Sequence, residues 1–144
     1  MPDQTIKLVA AGVLLLHGLG HGGALAALAW IRLRPGTPTG YWVAARSWLA
    51  PSLRADTATT LASVFWAVSL LGFVIAAMSF WGVVVPRGVW QPVAVASALV
   101  SMAGIACFFG TWPMFNTIAA LAVNVAVLAA VLWLRWPPDA VLGS

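Results

Sequence analysis

The chain contains two histidines, His17 and His21, and both lie in Leu14-Leu15-Leu16-His17-Gly18-Leu19-Gly20-His21-Gly22-Gly23. Their spacing is about one helical turn, which puts both imidazoles on one helix face. The run around them is apolar enough to cross a bilayer, and a titratable pair in such a run is a functional-site hypothesis by default. Imidazole titrates near neutral pH, so it can move protons, bind metals or hold a polar head group.

Metal chemistry is poorly supplied. Two histidines one turn apart can chelate an ion edgewise, as on HExxH helices, but the glutamate is missing. A zinc site needs further ligands. Cys107 and Asp56 are the only extra candidates, and both are expected too near one membrane surface. Haem held by both histidines is disfavoured, because neighbours on one helix cannot reach opposite haem faces. One histidine with Met78 or Met102 would be the remaining haem arrangement. Catalysis is not signalled either. There is no Ser/His/Asp set, phosphate-binding loop or CxxC, and no carboxylate lies inside an apolar run. A membrane enzyme using His17 or His21 in acid–base or redox chemistry stays open.

Composition defines the elements that must position this pair. The 144 residues are 62% hydrophobic and only 7% charged, against about 25% charged in soluble domains. So little charge cannot cover a water-facing surface, and lipid must be the main solvent. Seven basic residues against three acidic ones flank the apolar runs, the usual place for membrane-edge cations. No basic stripe suits nucleic acid. A single cysteine excludes an internal disulfide.

The pattern predicts an all-α, single-domain, four-helix membrane bundle with helices at about 5–30, 57–81, 90–110 and 114–134. Lys7 and the run that follows loosely imitate a signal peptide; the stretch reads instead as a retained first helix. Asp56 or Thr57 can cap the second helix. Between the first two spans, Tyr41, Trp42, Ala45, Trp48 and Leu49 recur at helical spacing. Residues 41–50 are therefore expected to form a short interfacial helix, with a lid over a lateral cavity as the sharper alternative. Short later loops make successive helices antiparallel neighbours. Cation counts slightly favour the first loop in the cytoplasm. Gly18 and Gly22 form a GxxxG that permits close approach of another helix or a ligand.

Helical rise then places the polar residues. Measured from the first-loop side, His21 and His17 lie roughly 13 and 20 Å deep, Asn124 roughly 15 Å, Trp66 and Ser101 roughly 14 Å, and Ser69 roughly 18 Å. Asn116 and Thr117 stand nearer the mouth. All four helices therefore bring polar groups to one slab near the midplane, where each needs a partner. His17, or His21 if the helix is rotated, is expected within reach of Asn124. Two readings fit: interhelical hydrogen-bond glue, or a pocket for a small apolar ligand with a polar head, such as a quinone, a sterol-like molecule or a lipid. The candidate ligand-binding residues are His17, His21, Asn124, Trp66, Ser101, Ser69 and Asn116.

His17-Gly18-Leu19-Gly20-His21 in the first span resembles the HGxxH start of small bacterial DoxX-like membrane proteins. Gly110-Thr111-Trp112-Pro113-Met114-Phe115-Asn116-Thr117-Ile118, continuing to Asn124, is similar to that family's last helix. The resemblance implies a four-helix bundle in a bacterial cytoplasmic membrane. Its better-known branch is associated with thiosulfate:quinone oxidoreduction and redox-stress complexes. With one cysteine and no intramembrane acid, this chain inherits no activity from that branch; only His17, His21 and Asn124 carry over. Three roles compete: a ligand-binding sensor or accessory subunit, a membrane enzyme, and a structural subunit within a hetero- or homo-oligomer.

Overall fold

A computed structural model describes residues 3–34 and 46–142. Its main elements are α1 (Asp3–Leu33), α2 (Ala55–Ser79), α3 (Trp90–Cys107) and α4 (Met114–Leu128). A 3-10 turn, Arg87–Val89, leads into α3, a π turn, Ala129–Trp133, continues α4, and a short α5 (Asp139–Leu142) ends the described chain. Among the described residues, four helical spans are long and apolar enough to cross a membrane. The chain is thus a small all-α, multi-pass membrane protein. Leu8, Leu16, Val64, Leu71, Phe115 and Leu132 are exposed on the outer faces, as expected where hydrocarbon replaces water.

Consecutive helices pack on one another: α1 on α2, α2 on α3, and α3 on α4. Two apolar clusters hold the bundle. One gathers Leu14, Phe73, Phe80, Trp90, Ala94, Ala98 and Val127. The other, toward the first-loop side, gathers Leu28, Ala58, Ala62, Trp66 and Phe108. In every spanning helix a polar residue falls between these clusters along the chain: His17 and His21 in α1, Ser69 in α2, Ser101 in α3 and Asn124 in α4. The expected polar slab is therefore present, between two predominantly apolar clusters.

The helix boundaries differ in instructive ways from those expected. Neither Asp56 nor Thr57 caps α2; Arg54 occupies the N-cap position without a side-chain bond, and Asp56 lies inside the first turn. A carboxylate there still favours the helix through its dipole. The α3 helix stops at Cys107, three residues early, because Phe108 leaves helical geometry.

Of the expected interfacial helix, residues 41–45 lie outside the described residues, and 46–50 form no helix. Ser47 Oγ accepts from the Ala50 N–H at 3.3 Å, a local side-chain bond of the kind that competes with helix formation. The Trp48 indole N–H donates to the Ala106 carbonyl, one of the carbonyls that the end of α3 leaves without an intrahelical donor.

The GxxxG of α1 is used asymmetrically. A Cβ at Gly18 would stand 3.1 Å from Phe73 Cβ and 3.2 Å from the Leu70 carbonyl oxygen, so any side chain here would push α1 and α2 a few tenths of an ångström apart. At Gly22 the same atom would meet only the Leu70 methyl ends, at 3.6 and 3.7 Å. Of the two glycines expected at a close contact with another helix or a ligand, Gly18 makes one, whereas Gly22 leaves room for ordinary van der Waals contact.

Candidate functional site

Three helices meet through a chain of side-chain hydrogen bonds. His17 Nε2 of α1 donates to Asn124 Oδ1 of α4 at 2.9 Å. Asn124 Nδ2 donates to Ser101 Oγ of α3 at 2.7 Å. Ser101 Oγ lies 3.1 Å from His21 Nε2, which returns the chain to α1 one turn from its start. Asn124 and Ser101 are fully buried, and His21 is nearly so. The α2 helix closes the arrangement from behind with Phe73. Its ring meets His17 edge-on at 4.7 Å between centroids and lies parallel to His21 at 6.2 Å. The two imidazoles stand edge to face, 5.0 Å apart.

The helical spacing explains why these four residues converge. His17 and His21 share a face of α1, and the antiparallel course of α4 brings Asn124 to a depth between them. Asparagine is the residue suited to that position: its amide offers an acceptor to one helix and a donor to another. The expected contact between a histidine and Asn124 is present, and it involves His17.

The same histidines line a cavity of about 720 Å³ between α1 and α4. Trp66, Ile105, Phe108 and Trp112 supply its apolar depth, and Asn116 and Thr117 lie at its first-loop end. Leu16 and Phe109, both on the lining, are exposed, so the space opens sideways toward lipid. Trp66 and Trp112 meet edge to face at 5.0 Å, which gives the cavity a rigid aromatic floor. The cavity exists because α1 and α4 are joined here mainly through the His17–Asn124 bond and not through close backbone packing.

The remaining candidates separate. Trp66 lines the cavity and Asn116 lies exposed on its rim. Ser69 is fully buried but donates to the Phe65 carbonyl of its own helix at 2.8 Å, apart from the histidine chain. Sequence reasoning missed Phe73, although it stands seven residues after Trp66 and so on the same face of α2. The roles of Ile105, Phe108 and Trp112 depend on how far α1 and α4 diverge, which periodicity does not encode.

The two serines give a direct comparison. Ser69→Ala should change stability by no more than about 0.5 kcal/mol, because a bond to the i−4 carbonyl contributes little. Ser101→Ala should cost about 1–2 kcal/mol, because it strands Asn124 Nδ2 and His21 Nε2 inside the bundle. Thermal unfolding in detergent would separate the two; equal midpoints would deny the chain any structural role.

Compared with known proteins, the chain matches no family model, and no similar curated protein or solved structure is found.

Proposed function

We propose that this protein binds a small apolar molecule with a polar head, quinone-like or lipid-like, in the cleft between α1 and α4. The observation that carries the reading is the coincidence of two features. The only two histidines of the chain are held in a hydrogen-bonded network, and both lie on the wall of a cleft open to the hydrocarbon. A volume of about 720 Å³ falls within the range of pockets for drug-sized ligands. The head group is held by the imidazoles and the tail by Trp66, Ile105 and Phe108. Structural glue alone would need the network but not the space beside it.

The setting belongs to the same proposal. The HGxxH pattern and the asparagine-bearing last helix support membership of the DoxX-like group and residence in a bacterial cytoplasmic membrane, where the protein acts as a sensor or accessory subunit. The test is extraction of the protein purified in mild detergent, followed by mass spectrometry. About one amphiphile per chain is expected, with loss from a His17→Ala/His21→Ala variant that still unfolds cooperatively. No amphiphile above the detergent blank, or undiminished retention by the variant, would overturn the reading.

A further inference from the structure

The direction of the hydrogen bonds determines what the cavity wall offers a ligand. Unlike Ser69 and Ser97, which donate to carbonyls four residues back, Ser101 has only Asn124 and His21 as partners among the described residues. Its single hydroxyl proton must therefore serve this chain. Asn124 Oδ1 accepts from His17 Nε2, so the His17 proton sits on Nε2. Asn124 Nδ2 donates to Ser101 Oγ, and Ser101 passes its own proton to His21 Nε2. An uncharged His21 then carries its proton on Nδ1. If the Asn124 amide is turned over, every donor reverses: His17 is protonated on Nδ1, and His21 on Nε2. In either direction the two uncharged rings are opposite tautomers.

The Nδ1 atoms are the free ends of the chain. Among the described residues no group bonds to either of them. Neither counts among the buried polar atoms left without a partner, so neither is sealed inside the bundle, and both rings line the cavity. One Nδ1 therefore presents an N–H and the other a lone pair. They belong to rings 5.0 Å apart on one wall.

We infer that the cleft selects an apolar molecule whose head both donates and accepts a hydrogen bond: a hydroxyl, as in a long-chain alcohol or phenol, or an un-ionised carboxyl. A head that only accepts, such as an ether, an ester or the carbonyl of an oxidised quinone, leaves the bare Nδ1 unpaired, so within the quinone-like class the reduced, hydroxyl-bearing form is the one that fits. A site built to hydrogen-bond an OH discriminates strongly against the analogue lacking it, because its own buried group is then stranded. This inference rests on the cleft being a ligand site.

Two measurements on the full chain in nanodiscs test it. Histidine 15N spectra at neutral pH, with no histidine tag, contain only the signals of His17 and His21. One ring protonated on Nδ1 and the other on Nε2 is the expected result; two identical tautomers, or two imidazolium rings, overturn the inference. Competition for the site is then measured with 1-hexadecanol and with its methyl ether, which keeps the acceptor and lacks the donor. The alcohol should bind at least tenfold more tightly, and Ser101→Ala should cut that preference to threefold or less by uncoupling the tautomers. Equal binding of alcohol and ether overturns the selectivity but leaves the cleft a ligand site. Binding of neither, with opposite tautomers still present, overturns the ligand reading and the selectivity with it.

Discussion

Asn124→Leu should lower the unfolding free energy of the detergent-solubilised protein by about 2 kcal/mol or more, more than any other single polar-to-apolar change in the bundle. Asn124 is fully buried and joins α4 both to α1 and to α3. Leucine has similar bulk but neither donor nor acceptor. It removes two interhelical bonds, each worth about 0.6 kcal/mol on average in membrane bundles. It also strands the His17 N–H and frees the Ser101 hydroxyl from its donor. With α1 and α4 joined here mainly through His17 and Asn124, the loss falls where the bundle has least packing to compensate. Asn116→Leu, at the exposed rim, should change stability by less than about 0.5 kcal/mol. A wild-type midpoint for Asn124→Leu would show that the network does not hold the bundle. If the cleft retains an amphiphile, that variant should also lose it.

Asn124 shows what the sequence makes legible. A constant rise per residue converts position into depth, and antiparallel neighbours share a depth scale. Counting residues from the helix ends is enough to bring Asn124 and Ser101 to within about one helical turn of both histidines. Rotation about each helix axis is less accessible. In an apolar span the usual contrast between wet and dry faces is missing, so Ser69 has the right depth but spends its hydroxyl on its own backbone. Gly22 fails for the same reason: it lies beside Gly18 on the helix, yet a small rotation leaves it facing methyl groups and not backbone. The cleft itself follows from the divergence of α1 and α4, a property of all four packed surfaces. Residues 46–50 depart from the helix that the spacing over 41–50 suggests, because Ser47 and Trp48 bind backbone groups that a continuous helix would not leave available.

Gly72→Ala should destabilise the protein by about 1–3 kcal/mol, and the same change should become neutral or stabilising when Ser97 is glycine. The Cβ that alanine adds at position 72 of α2 would overlap Ser97 Oγ of α3 and stand 3.1 Å from Ser97 Cβ. The hydroxyl is already committed to the Val93 carbonyl at 2.7 Å, so it cannot turn away without losing that bond. Relief must come from moving α2 off α3, which loosens the fully buried Ala94 and Ala98 beside it. Small residues facing each other are the usual means of close helix approach in bilayers, where lipid gives no hydrophobic push. Ser97→Gly removes both atoms that collide with the new methyl. What then remains of Gly72→Ala is its intrinsic helix preference, about 1 kcal/mol in favour of alanine in water. The sign of one substitution thus depends on the other residue, and the coupling in a double-mutant cycle should exceed about 1 kcal/mol. Unfolding of the four proteins in one detergent measures it. Additive effects of the two substitutions would mean that α2 and α3 do not meet at this pair.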